Sequence, residues 1–269
     1  MNGLHNPLAA SLRLLAFLLA TLTLIPIYAL MLGLGLKGMC RTMASVYWRA
    51  VILAVGLRVE VKGTPSAVRP TLFVANHISY FDIVVLGSLL SAYFVAKKEV
   101  SQWPGFGLMA KLGRTVFVDR RPRKSLGQRD EMAARLGRMG ESLVLFPEGT
   151  SSDGLRVLPF KSALLSVAES GDLPVQPISL SYSRLDGMPM GRGLRPFFAW
   201  YGGMELVPHL WMALGLGRAT IEVHFHPPVR LADFGSRKAL AEYCHDVIDA
   251  GVVAANNGRS PGALGMEPA

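Results

Sequence analysis

Cysteine is scarce in this chain: there are 2 in 269 residues, Cys40 and Cys244. Two are too few for a disulfide framework, and neither has metal-ligand spacing, so both read as reduced thiols facing the cytosol or lipid. Other absences narrow the chemistry further. No Gly-x-Ser-x-Gly elbow occurs, which argues against a hydrolase built on one. No His-Glu-x-x-His pair or carboxylate-rich loop supports His209, His224 and His226 as ligands. These read as bonded or surface histidines, and neither a metal nor a cofactor is expected. Nothing interleaves aromatic and basic residues as single-stranded nucleic acid sites do, so no nucleic acid partner is expected. Acidic residues are outnumbered, 19 against 28 Lys and Arg, for a net charge of +9. That balance suits anionic partners such as phospholipid headgroups or an acidic carrier protein.

What is abundant is apolar residues, at 51%, high for a purely soluble enzyme. From Leu14 to Leu36 there is no charged residue. The run is long enough to cross a bilayer and exceeds a signal-peptide core. Pro26 near its middle allows a kink, so spanning the membrane and dipping into its cytosolic leaflet both stay open. Lys37, Arg41 and Arg49 after the run, against Arg13 before it, place the following body in the cytoplasm at the inner membrane. Thr42–Leu57 is a second, shorter apolar helix, with Tyr47 and Trp48 suited to the headgroup boundary. The alternative is a helix packed on the protein's own sheet. Residues 1–57 are therefore expected to be membrane-anchoring helices.

From Arg58 the pattern changes to strands alternating with helices. Strands are expected at 58–63, 70–75, 93–96, 115–118, 143–146, 175–180 and 220–225, and helices at 83–90, 104–112, 125–139, 160–170 and 236–250. This is an α/β body over 58–253, a mixed sheet flanked by helices. The tail 254–269, rich in Gly, Asn and Pro, is expected to be disordered.

Two loops leave apolar strands with chemistry-bearing residues. In Asn76-His77-Ile78-Ser79-Tyr80-Phe81-Asp82, a histidine emerges where ligands bind in open α/β sheets, with a carboxylate a turn away to orient it. The plainer alternative is a core histidine and a helix-capping aspartate. In Phe146-Pro147-Glu148-Gly149-Thr150-Ser151-Ser152, Gly149 permits close backbone approach. Thr150 and the N–H groups after it suit an anion or a developing oxyanion, while Glu148 suits a polar headgroup or holds the loop. Gly113 to Arg120 puts arginines at both ends of a strand, and Arg120, at the carboxyl edge, can fork onto phosphate. Arg121, Arg123 and Lys124 continue the basic run.

Asn76-His77 with Asp82, Gly113 to Arg120, Phe146 to Thr150, and Val175-Gln176-Pro177-Ile178, in this order, resemble the four sequence blocks of the glycerolipid acyltransferases. Within that family the chain is similar to the bacterial 1-acylglycerol-3-phosphate acyltransferases and their lyso-ornithine-lipid relatives. The resemblance implies a glycerol-3-phosphate acyltransferase-like fold with an N-terminal two-helix membrane element. It implies His77 as general base on the acceptor hydroxyl, Asp82 orienting it, and acceptor contacts by Asn76, Arg120, Glu148, Gly149 and Thr150. The hydroxyl would attack an acyl thioester of acyl carrier protein or coenzyme A directly, without a covalent enzyme intermediate. The first expectation for the acceptor is 1-acyl-sn-glycerol-3-phosphate, giving phosphatidate. One departure bears on it: many family members carry arginine where this chain has Ser151, and losing a guanidinium removes a fork for phosphate. That favours the alternative acceptor, lyso-ornithine lipid, which has no phosphate, unless Lys161 supplies the charge.

Overall fold

A computed structural model of the protein describes residues 4–118 and 125–258. The chain forms α1 (Pro7–Gly33), α2 (Lys37–Ala54), β1 (Leu57–Lys62), β2 (Leu72–Ala75), α3 (Phe81–Leu89), β3 (Tyr93–Lys97), α4 (Phe106–Leu112) and β4 (Val116–Val118). It continues with α5 (Ser125–Gly137), β5 (Leu143–Leu145), β6 (Val175–Leu185), β7 (Met188–Pro189), α6 (Leu206–Gly215), β8 (Ala219–Phe225) and α7 (Arg237–Asn256).

The strands form one mixed sheet in the order β1-β8-β6-β2-β5-β3-β4, with β7 paired to β6. Pairing is parallel except where β6 meets β8 and β7. Alternation along β2 shows why the sheet is covered on both faces. Phe73 and Ala75 join a core with side chains of α2 and α3, while Leu72 and Val74 join one with α5 and α7. Strands buried on both faces read as continuous apolar runs, as Leu72–Ala75 and Leu143–Leu145 do. Because β5 is the parallel neighbour of β2, the His77 loop and the Phe146–Ser152 loop leave the same carboxyl edge side by side.

Helix α1 starts earlier than the charge-free run. Asn6 caps it by accepting from the Ala9 N–H, and Pro7 occupies its first position. It continues through Pro26 without a break. Its two faces differ. Ala10 is buried, and Leu14, Phe17, Leu24 and Ile25 pack on the body's core, while Leu8, Leu12, Leu15, Leu19, Leu22 and Leu30 are exposed. Among the described residues this is the one helix long and apolar enough to cross a membrane.

Helix α2 packs one face on the body, the alternative that the sequence left open for the second helix. Tyr47, Val51, Ile52 and Val55 are buried in the same core as α3. The Tyr47 hydroxyl bonds Thr21 and Met109. Trp48 covers Gly87, where an added Cβ would come within 2.6 Å of its ring. The stretch expected as a helix at 160–170 is a 3-10 segment, Ser162–Ser170. At the other end, α7 runs to Asn256, so the tail does not become irregular at residue 254. Asn256 accepts from Ser181 (2.6 Å) and Arg195 (2.7 Å) and donates to the Gly154 carbonyl (3.1 Å), which fastens the helix end to the body. The tail beyond residue 258 lies outside the described residues.

Candidate active site

The chain turns sharply after β2. His77 Nδ1 lies 2.8 Å from Asp82 Oδ2, and the same oxygen accepts the main-chain N–H groups of Ile78 (2.7 Å) and Ser79 (2.9 Å). Asp82 sits in the first turn of α3, where the unpaired N–H groups and the helix dipole favour a carboxylate. Its other oxygen accepts from the Tyr182 hydroxyl at 2.8 Å, and the side chain is fully buried. The His77 ring is partly exposed and stacks on Phe146 at 4.3 Å, itself stacked on Phe94 at 6.5 Å. Because a carboxylate accepts, Nδ1 carries the proton in the neutral ring and Nε2 is left as the basic nitrogen. A histidine held this way can take a proton from a hydroxyl.

The second loop is bound to the first through the backbone. Glu148 is buried, and its two oxygens accept the N–H of His77 (2.6 Å) and of Leu158 (2.9 Å). The Ser152 N–H donates to the His77 carbonyl at 2.8 Å. Burial raises the Glu148 carboxyl to about 8, and the two N–H donors offset only part of that rise. Gly149 has φ +66, and an added Cβ would come within 2.7 Å of Lys161 Nζ, so the ammonium lies directly over the turn. Thr150 is exposed beside it.

Two expected acceptor contacts point inward. Asn76 is buried and pairs both ends of its amide with the Leu180 backbone, donating at 3.0 Å and accepting at 2.8 Å, so it ties β2 to β6. Glu148, with both oxygens occupied by main-chain donors, holds the loop, the second of the two roles its sequence context suggested. Arg120, with Arg121, Arg123 and Lys124, lies outside the described residues. Arg114, at the other end of β4, is bonded to Tyr93 and Glu141. Ser151 donates to the Trp200 carbonyl, and the Trp200 N–H donates to the Ile78 carbonyl at 2.9 Å.

Sequence reading missed the segment that closes this side of the site. Trp200 packs edge-on against Tyr80 (5.9 Å) and Trp103 (5.6 Å). His209 of α6 donates from Nε2 to the Ala199 carbonyl (3.0 Å), so its Nδ1 accepts from Tyr80 at 2.9 Å. Burial lowers the pKa of His209 and raises that of Tyr80, keeping both neutral. Tyr182 was missed as well, although the alternation Ser179-Leu180-Ser181-Tyr182-Ser183 carried the signal for a longer strand. His226, considered from the sequence with His224, is bonded to Ser179 at 2.7 Å and pushed by burial down to about 3.

A family model described as Acyltransferase matches residues 58–181. The chain is 44% identical to a lyso-ornithine lipid O-acyltransferase of Brucella abortus (strain 2308), over 84% of this chain and 87% of that protein. It is 32% identical to a 1-acyl-sn-glycerol-3-phosphate acyltransferase of Neisseria meningitidis serogroup B, over 75% and 77% of the two chains. The fold matches the crystal structure of the 1-acyl-sn-glycerophosphate acyltransferase PlsC from Thermotoga maritima, with a TM-score of 0.61 at 23% identity, over 89% of this chain and 96% of that one. The chain belongs to the PlsC-like acyltransferase family. It is an O-acyltransferase that acts on a lysolipid with an acyl donor.

Proposed function

We propose that this enzyme acylates the free hydroxyl of lyso-ornithine lipid to give ornithine lipid, with His77 as general base and Asp82 orienting it. The observation that carries the acceptor is the 44% identity to a lyso-ornithine lipid O-acyltransferase against 32% to a 1-acyl-sn-glycerol-3-phosphate acyltransferase. That reverses the order in which the sequence motifs alone put the two acceptors. The use of Ser151 as a hydrogen-bond donor to Trp200, at a position suited to a phosphate-binding arginine, supports the same choice.

In this reading the acceptor oxygen attacks the thioester carbonyl while His77 Nε2 takes its proton. The C–S bond then breaks, and the leaving thiolate of the carrier or coenzyme takes that proton from the imidazolium. Gly149, Thr150 and Lys161 meet the polar part of the acceptor or the developing oxyanion. The 2.8 Å His77–Asp82 contact at the carboxyl edge supports the base assignment. The body sits on the cytoplasmic side of the inner membrane, with the exposed leucines of α1 in lipid. The packing of α1 along the body from Ala10 to Ile25 supports a helix that dips into the leaflet over one that crosses it.

The test supplies membranes containing the protein with acyl carrier protein and coenzyme A thioesters and with lyso-ornithine lipid and 1-acyl-sn-glycerol-3-phosphate as paired acceptors. Products are quantified by mass spectrometry beside His77→Ala. Ornithine lipid that disappears in His77→Ala is the expected result. Phosphatidate as the His77-dependent product would overturn the acceptor, and unchanged turnover in a folded His77→Ala protein would overturn the base.

A further inference from the structure

We propose that Tyr182 is a positioning residue for the acyl transfer, acting on His77 through Asp82. The inference rests on the reading of His77 and Asp82 as base and orienter. Among the described residues the four donors around Asp82 are unevenly divided: three converge on Oδ2, from His77, Ile78 and Ser79, while Oδ1 accepts from Tyr182 alone, at 2.8 Å. The carboxylate is fully buried, so without that hydroxyl Oδ1 would face the protein interior with no partner. Two anchored oxygens fix the carboxylate plane. A carboxylate held at Oδ2 only can pivot about that oxygen through its Cα–Cβ and Cβ–Cγ torsions and tilt the imidazole away from the direction in which Nε2 meets a hydroxyl.

Tyr182 itself is rigidly placed. It sits on a central strand, is buried, and stacks on Phe198 with ring centroids 6.2 Å apart. Burial and the neighbouring Asp82 raise its pKa well above the usual phenol range, so the hydroxyl donates throughout the working pH range. The buried Ser79 hydroxyl lies against the same phenol oxygen without closing a hydrogen bond of standard geometry. The other titratable groups facing the pair are Glu148 across His77 and Tyr80 at the start of α3. The segment matched by the family model ends one residue before Tyr182.

The experiment is a double-mutant cycle on the full-length protein in membranes, with kcat and KM measured across pH for wild type, Tyr182→Phe, Asp82→Asn and the double variant. Tyr182→Phe is expected to lower kcat by about tenfold to a hundredfold, with KM for both substrates changed by less than about threefold. Loss of the donor leaves more negative charge on the carboxylate, which favours proton uptake by the pair. The acidic limb of the kcat/KM profile therefore moves to higher pH. In the Asp82→Asn background the same substitution changes kcat by less than about twofold, because the path from Tyr182 to the base is already broken. Equal fold-losses in both backgrounds, or an unmoved acidic limb, would overturn the proposal. Should Tyr182→Phe not fold, a fluorinated tyrosine at 182, a stronger donor of the same shape, is expected to move the limb to lower pH, and no movement would overturn it. Failure of the base assignment is distinguishable, since it shows as activity retained in His77→Ala.

Discussion

Asp82 and Glu148 are both buried acidic side chains within one hydrogen bond of His77, and they reach different parts of it. Asp82 meets the imidazole, and Glu148 meets the main-chain N–H of the same residue. The partner of Asp82 can gain and lose a proton, so its removal should be felt in the reaction itself. The partners of Glu148 are two amides, of His77 and Leu158, that never titrate. Glu148 therefore sets where the His77 backbone stands, and Asp82 sets which nitrogen of its ring faces the hydroxyl. Asp82 is five positions from His77 in the sequence and Glu148 is 71, yet the fold brings both to the same residue, and only the atoms they bond separate chemistry from scaffolding.

The largest effect that would test this division is expected from Asp82→Asn. An amide at this position can donate to Nδ1 and so stabilise the wrong tautomer, and kcat should fall by about 10³- to 10⁴-fold. Steady-state turnover beside circular dichroism checks this, and a loss under about tenfold in folded protein would erase the distinction from Glu148. Glu148→Gln should be milder on turnover, about tenfold to a hundredfold, and plainer on stability. One carbonyl oxygen cannot serve two N–H donors, and a buried unpaired amide costs roughly 1–3 kcal/mol in unfolding free energy. Chemical denaturation of the two proteins side by side gives that difference.

The raised carboxyl of Glu148 adds a pH signature to the comparison. Its folded value near 8 lies above the ordinary 4.5, so between about pH 5 and pH 8 the native state holds a proton that the unfolded chain has released. Stability from this group is full below that window and is lost as pH rises through it. The thermal midpoint of the wild type should therefore fall more steeply between about pH 5.5 and pH 8.5 than that of Glu148→Gln. Parallel curves would mean that the two N–H donors cancel the effect of burial.

The site was legible in the sequence where spacing decides. His77 at the end of an apolar run, with a carboxylate five positions on, gave the bonded pair, because a strand end followed by a helix start brings those positions together. Asn76 and Glu148 were visible as residues but not as contacts, since whether a side chain at a strand end turns inward depends on its neighbours in the sheet. For Asn76 that neighbour is Leu180, 104 positions away. Helix α6 and the loop holding Trp200 were missed because Leu206–Gly215 is short and carries Pro208, so neither length nor periodicity marked it. Asn256 has the composition of a tail residue, yet its three bonds to Ser181, Arg195 and Gly154 keep α7 helical to that point. Strand positions were easier to read: the seven expected lie within a few residues of the observed ones except for β6, which continues five residues past the expected end at Leu180, and the two-residue β7 was not expected.

The smallest expected effect concerns Ser151, which touches neither carboxylate. Its hydroxyl donates to the Trp200 carbonyl, and the Trp200 N–H donates to the carbonyl of Ile78, next to His77. Removing the hydroxyl in Ser151→Ala leaves the Trp200 backbone attached through Ile78 alone, so the aromatic side of the site should loosen while the His77–Asp82 pair keeps its geometry. The effect should fall on the acceptor, raising its KM by about two- to fivefold with kcat nearly unchanged, consistent with the roughly 1 kcal/mol typical of one hydrogen bond. Measuring KM separately for acceptor and donor decides it. A loss in kcat of the size expected for Asp82→Asn would mean that Ser151 acts on the reacting atoms and that the headgroup side and the proton-transfer side of this site are one unit.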